Sequence, residues 1–264
     1  MQDLFDLARF PLDQPKSAAW AALVARCRTD LAREGMYNLE GFLRPDVAAR
    51  EAIRLAPLFD SESFHHERRH NIYFTDRIDG LGEDHPALVR FETSNCTLCA
   101  DQIVGSALLT LYEWPHFSAF LAATVGKTEL FMMEDPLARV NVMSYREGQA
   151  LNWHFDRSEF TTTLLLQAPE AGGTFEYRTN LRGPDDPNYE GVAALLEGRD
   201  PERKSLTSKA GTLTVFRGLN TAHRVSQVKG GTPRMIAVFS YFERPGVAFS
   251  AQERLGFYGR AAPF

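Results

Sequence analysis

Residues 17–33 place Trp20, Leu23, Val24, Cys27 and Leu31 near helical spacing and end at Gly35. Residues 46–58 repeat the pattern with Val47, Ile53 and Leu55 behind Pro45, a residue suited to a helix start. Two amphipathic helices are predicted. Two more are expected over residues 101–112 and 115–124, the second opened by Pro115 and closed before Gly126. Between the pairs, residues 59–92 are polar and lack a period, so they are expected to be irregular. From residue 139 the texture changes. Residues 139–145, 160–167, 174–178, 212–217, 223–228 and 234–242 are short apolar or β-branched runs separated by Gly, Pro and Asn, as strands are. Helices gathered ahead of many short strands predict a mainly β fold with α: a cupin-like jelly roll carrying an N-terminal helical layer. Residues 180–209, with Pro184, Pro187 and Pro201, read as an insert holding a short helix near residues 192–197. The expectation is a single domain, with residues 1–138 as helical support and 139–264 as the β core.

Composition narrows the partners. With 44% hydrophobic and 24% charged residues, and no apolar run of the roughly 18 residues a membrane span needs, disorder and membrane insertion are excluded. A net charge of -5 provides no basic field for nucleic acid. The first fifteen residues carry Asp3, Asp6 and Asp13 and lack a basic segment followed by an apolar one, so no secretory signal is read and a cytoplasmic location is expected. Three cysteines cannot build a disulfide framework. Cys96 and Cys99 form one CxxC without the second pair a zinc ribbon requires, and are read as small buried residues near a helix start.

The candidate chemistry begins at Trp153-His154-Phe155-Asp156. On an extended segment residues i and i+2 point the same way, so His154 and Asp156 aim at one point while Trp153 and Phe155 turn toward the core. An imidazole and a carboxylate joined by one distant histidine make the facial triad that holds non-heme Fe(II) with open positions. Of seven histidines, His223 heads a late strand and is the best third ligand. Its strand turns at Gly230-Gly231-Thr232-Pro233 and a new one starts at Arg234, eleven residues on. Read as a hairpin, this sets Arg234 about 16 Å along from the metal, a gap that suits a five-carbon keto-diacid chelating iron at one end and meeting an arginine fork at the other. The natural cosubstrate is 2-oxoglutarate.

These motifs resemble the Fe(II)/2-oxoglutarate-dependent oxygenases, whose shared core is a double-stranded β-helix. The run Tyr145-Arg146-Glu147-Gly148 followed by the HxD is similar to the prolyl-hydroxylase type. Residues 151–160, Gly172-Gly173-Thr174-Phe175-Glu176-Tyr177 and Asn220-Thr221-Ala222-His223-Arg224-Val225 resemble more closely the branch of carrier-free amino-acid halogenases and hydroxylases. The resemblance implies that His154, Asp156 and His223 bind iron, that Arg234 binds 2-oxoglutarate, and that Tyr145 is a second donor to the same carboxylate. Many members carry Ser or Thr two positions after this arginine; here Ile236 stands there, so Ser240 or Tyr145 is expected to supply the hydroxyl. Halogenases of the branch have a small residue in place of the aspartate. Three protein ligands and a bidentate cosubstrate leave an octahedral iron one position, which O2 needs, so Asp156 implies hydroxylation and no halogenation.

Arg157, next to the aspartate, is expected at the pocket rim, either recognising an anionic group of the substrate or pairing on the surface with Glu159. A rival motif, His66-Glu67-Arg68-Arg69-His70, matches the HExxH of zinc hydrolases, but its two central arginines spoil a buried helix face, and residues 63–70 are read as a solvated polar segment. Asn71-Ile72-Tyr73-Phe74 is read as strand-like, and residues 64–77 as a surface loop or a lid over the mouth. The reading is thus a 2-oxoglutarate-dependent dioxygenase that hydroxylates a small polar metabolite, a free amino acid or a derivative, with release of succinate and CO2. A cupin-like metal-binding sensor without turnover and the zinc hydrolase are the alternatives.

Overall fold

The computed structural model describes residues 1–264. Ser17 caps the first helix, α1 (Ala18–Glu34), by accepting a hydrogen bond from the Trp20 amide at 3.1 Å, and Gly35 ends it in the left-handed conformation. Strand β1 (Met36–Leu39) follows, then α2 (Pro45–Ser61), started by its proline as expected. The region expected to be irregular instead holds β2 (Phe64–His70), paired antiparallel along its whole length with β3 (Phe91–Leu98). Asn71–Phe74, read as strand-like, is a turn: the Asn71 carboxamide accepts from the Tyr73 and Thr75 amides, and Phe74 takes a positive φ of 55°. The helix expected over residues 101–112 breaks at Gly105 (φ +78°) into a 3-10 turn, Ala100–Ile103, and α3 (Ala107–Tyr112), capped by Ser106. Helix α4 (Pro115–Val125) stops at Gly126 as predicted.

The strands then follow: β4 (Phe131–Met132), β5 (Val140–Tyr145), β6 (Leu151–His154), β7 (Thr161–Gln167), β8 (Ala171–Gly172) and β9 (Phe175–Arg178), of which β5, β7 and β9 match the expected runs. The insert contributes α5 (Tyr189–Leu196) and β10 (Lys204–Leu206). After it come β11 (Leu213–Phe216), β12 (Ala222–Val225), β13 (Val228–Lys229), β14 (Arg234–Phe239), β15 (Tyr241–Phe242) and α6 (Ala251–Tyr258).

A seven-stranded antiparallel sheet, β1-β11-β7-β14-β5-β3-β2, faces a four-stranded one, β10-β9-β12-β6. Three strands of the large sheet come from residues 1–138, so that half is not purely helical support; it builds both sheet edges. Side-chain parity divides the large sheet's faces. Met235, Ala237 and Phe239, with Val140, Val142, Leu164, Leu166, Leu213 and Val215, pack outward against α1 to α4 in one core of 38 buried residues. Their neighbours Arg234, Ile236 and Val238, with Asn141, Met143, Tyr145, Thr161 and Thr163, line a cavity of about 390 Å³ between the sheets. Trp153 and Phe155 sit in a second buried cluster with Ile72, Leu181 and Leu195, the core role expected of them. The three cysteines are buried and unpaired. No helix is long and apolar enough to cross a membrane.

Candidate active site

Strands β6 and β12 are neighbours in the small sheet, and His154 stands directly opposite His223, their rings 4.1 Å apart. Each ring is oriented by its own chain. The Nδ1 of His154 lies 2.8 Å from the carbonyl oxygen of Asn152, and that of His223 lies 2.9 Å from the carbonyl oxygen of Thr221. A carbonyl only accepts, so in the neutral ring the proton is on Nδ1 and the Nε2 lone pair is free. Both Nε2 atoms point at Asp156 Oδ1, at 3.4 and 3.5 Å. Ligand atoms of His154, Asp156 and His223 all fall within 4.8 Å of one another, close enough for one metal ion to touch all three.

The carboxylate is itself fixed. The Thr161 hydroxyl donates to Asp156 Oδ2, and the Asp156 amide donates to the Gly218 carbonyl at 3.1 Å. Residue 218 must be glycine, because a Cβ there would stand 2.3 Å from Asp156 Oδ2 and 2.7 Å from the Thr161 hydroxyl. Phe216 and Phe175 flank the His223 ring, and Phe74 meets His154 edge-on. Burial would push the Asp156 carboxyl up, but the two imidazoles outweigh it and hold the group well below the usual carboxylate range. Burial lowers His154, helped by the neighbouring His223; burial would lower His223 too, but Asp156 prevails and raises it. The trio thus keeps an anionic oxygen between two imidazoles, the donor set of a 2-His-1-carboxylate iron site.

Arg234 lies across the cavity, and its placement corrects the expected hairpin. Strand β14 pairs with β5 and β7 in the large sheet, whereas His223 is in the small one. The turn after β13 carries the chain between sheets, since β13 pairs with β8 and not with β14. Arg234 therefore faces the histidines from the opposite wall. It is 6% exposed, has no carboxylate partner, and leaves Nη1 without a hydrogen bond. Burial lowers its pKa to about 10, still a cation at neutral pH. An unpaired buried cation is costly, and a bound anion removes that cost. Tyr145 is its cross-strand partner in register, fully buried and pushed up to about 12 by that burial, so its hydroxyl keeps its proton.

Ser240 does not reach this place. It faces the same cavity, but six residues or roughly 20 Å farther along the chain at 3.3 Å per residue, level with Thr161, so it cannot share a carboxylate with Arg234. Ile236 lies between them, beside Met143 and Leu165. Arg157 is at the mouth, its side chain 78% exposed, 3.4 Å from Glu253 and 5.9 Å from the Phe257 ring centre. The surface partner expected for it, Glu159, binds Lys127 instead at 2.8 Å. The HExxH histidines cannot share a metal. They sit on a strand, four residues or about 13 Å apart, and both nitrogens of His70 are occupied, by the Asn71 carbonyl and the Thr93 hydroxyl.

The comparisons agree with this geometry. The sequence model of the Halogenase D family matches residues 93–251, more than half of the chain. No curated protein matches the sequence. Among solved structures the fold is similar to the non-heme α-ketoglutarate-dependent epimerase SnoN from nogalamycin biosynthesis, with a TM-score of 0.57 and 15% identity over 84% of each chain. It is also similar to AviO1 from Streptomyces viridochromogenes, with a TM-score of 0.55, 16% identity, and coverage of 84% of this chain and 96% of that one. A 2OG-Fe(II) oxygenase-family oxidoreductase from Burkholderia pseudomallei gives 0.50 and 15%, over 85% and 92%. The shared fold is the double-stranded β-helix, and the His-Asp-His donor set stands inside it. By its match to the family model, the chain belongs to the Halogenase D family.

Proposed function

We propose that His154, Asp156 and His223 hold the iron, that Arg234 with Tyr145 holds the distal carboxylate of 2-oxoglutarate, and that the enzyme hydroxylates an unactivated C–H bond of a small polar metabolite, a free amino acid or a derivative. One observation carries the reading most: a buried guanidinium without a counter-charge shares a cavity with the trio, and the only acid lining that cavity is Asp156. The overall change is R–H + 2-oxoglutarate + O2 → R–OH + succinate + CO2. When bound, iron and 2-oxoglutarate supply the oxygen activation and the two electrons that R–H does not.

The chain's own residues position and enclose. The Nδ1–H bonds to Asn152 and Thr221 keep both Nε2 atoms turned inward, and Thr161 leaves Asp156 only Oδ1 to offer. Arg234 neutralises and orients the cosubstrate's far end through a planar fork, and the Tyr145 hydroxyl, which donates to Met143 Sδ at 3.4 Å, would turn from that weak acceptor to the same carboxylate. Phe74, Phe175 and Phe216 keep water from the imidazoles, which strengthens each electrostatic contact inside.

The test is incubation of the purified protein with Fe(II), 2-oxoglutarate and a panel of amino acids in air. Succinate formation that depends on oxygen, with a product heavier by one oxygen atom, is the expected result. Metal and 2-oxoglutarate binding with no succinate under any condition would refute turnover and leave a sensor.

A further inference from the structure

Apart from the trio, Arg234 and Tyr145, the cavity's strongest polar groups come from the β2–β3 edge. Strand parity puts His66, Arg68 and His70 on the cavity side, Arg68 remaining exposed at the mouth, while His65, Glu67 and Arg69 face away from it. Opposite them on β3, Asn95 pairs in register with His66, and Thr93 with Arg68. Phe74 ties this wall to the metal centre. Its ring stacks on His70 at 4.4 Å, lies edge-on to His154 at 6.2 Å, and carries the Arg68 guanidinium 4.9 Å from its centre. The positive φ at Phe74, which a bulky residue rarely adopts, is held by the Asn71 turn, which sets where the ring leaves the backbone.

Arg68 has no carboxylate within ion-pair distance and no hydrogen-bond partner. Of the other arginines on the cavity, Arg157 is paired with Glu253, and Arg234 is used by the cosubstrate in the reading above. The lining holds three arginines against the single acid Asp156, while Ile236, Val238, Phe249 and Phe257 make other walls apolar. We infer that Arg68 binds the carboxylate of the primary substrate at the mouth, beside His154, and that the rest of the substrate carries no basic side chain. A guanidinium stacked on an aromatic ring and free of an acid offers a pre-oriented fork for a carboxylate. A lysine-like ammonium at the far end would meet no carboxylate except the one between the histidines, and would be desolvated without compensation. The proposal rests on the oxygenase reading and adds the substrate class: a small amino acid or related acid whose side chain is neutral and largely apolar.

The experiment uses the Mn(II)-loaded full chain saturated with 2-oxoglutarate, titrated calorimetrically with leucine, methionine, phenylalanine, lysine and the carboxamide of each. At least one neutral acid is expected to bind, with its carboxamide weaker by roughly ten- to a hundredfold, the range for losing a hydrogen bond between charged groups, and lysine weaker than that acid. In Arg68→Gln the acid should fall to the level of its amide, while 2-oxoglutarate affinity is unchanged because β5 and β3 separate the strand of Arg68 from that of Arg234. An acid–amide difference that persists in Arg68→Gln, a panel in which no acid binds, or lysine binding best would each overturn the proposal. Titration of 2-oxoglutarate itself is the separate arm. If the wild type does not bind it, the oxygenase reading fails first; if it binds and Arg68→Gln keeps the acid preference, only the role of Arg68 falls.

Discussion

Replacing Thr161 by valine tests how far the metal centre depends on a residue that would not itself touch metal. The change replaces the hydroxyl by a methyl of similar size, which cannot donate and must stand farther from the carboxylate oxygen than a hydrogen-bonded hydroxyl does. That hydroxyl donates to Asp156 Oδ2, and without it the oxygen faces the Gly218 backbone with no donor. A hydrogen bond to an ionised carboxylate is worth about 1.5–3 kcal/mol. At about 1.4 kcal/mol per decade, metal affinity should weaken roughly tenfold to a hundredfold, the range seen when partners of metal ligands are removed. Mn(II) or anaerobic Fe(II) competed against a chromophoric chelator gives the constant directly. Thr161→Ser should restore it, since the hydroxyl returns, and saturating metal should restore most of the activity to the valine variant. A valine variant whose metal affinity stays within about twofold of wild type would show that the imidazoles alone fix the carboxylate, and the reasoning would fail.

Arg234→Ala should weaken 2-oxoglutarate binding by thirtyfold or more, the equivalent of about 2 to 5 kcal/mol for a buried charged pair, while metal affinity measured by the same chelator competition holds. In chloride buffer the native enzyme should give hydroxylated product only, read by mass spectrometry; a chlorinated main product would overturn the ligand role of Asp156. Asp135 is fully buried, bonded to Arg254 at 2.7 Å and to the Leu137, Ala138 and Phe249 amides, so Asp135→Asn should lower stability by about 3 kcal/mol at pH 7 in urea unfolding. Burial would raise this carboxyl, but its partners prevail and lower it. The stabilisation is therefore present above the ordinary carboxylate range, near pH 4, and is lost as pH falls through the depressed folded value, so the gap between wild type and variant should close only in strong acid.

What the sequence revealed, and what it hid, follows from amplitude and spacing. His154, Asp156 and His223 were legible because an HxD at a strand end and a histidine heading a late strand are specific chemistry, and the structure pairs those strands in register. Strand β2 was not legible. One of its faces lines a polar cavity and the other meets water, so His66, Arg68 and His70 alternate with Glu67 and Arg69 with no hydropathy contrast to mark the period. Arg234 was singled out for its charge but misplaced in the topology, because adjacent strands were assumed to form a hairpin while the chain changes sheets after β13. The same one-dimensional view put Ser240 beside Arg234. Thr161 carried no signal at all: in Thr161-Thr162-Thr163 each residue suits a strand, and only the parity of the fold separates the two that face the cavity from the one that does not.

Family membership and residue 156 point in different directions, and the surroundings of the carboxylate decide between them. Halogenases in the branch this sequence resembles have a small residue where this chain has Asp156. Here four neighbours are shaped to the larger side chain: Thr161 supplies a donor to its outer oxygen, Gly218 withholds a Cβ that would collide with that oxygen, and the His154 and His223 imidazoles converge on the inner one. Deleting the carboxylate in Asp156→Gly would empty a volume bounded by one hydroxyl donor and the Nε2 edges of two imidazoles. A chloride ion placed there would exchange its hydration shell for a single hydrogen bond, poor compensation for a desolvated anion unless the metal supplies the rest. The metal, in turn, would have lost one of its three protein ligands. Loss of iron affinity is therefore the first effect expected of that variant, and halogenation would need at least one further donor on the Gly218 side, a position where the native backbone leaves no room for a side chain while the aspartate is present.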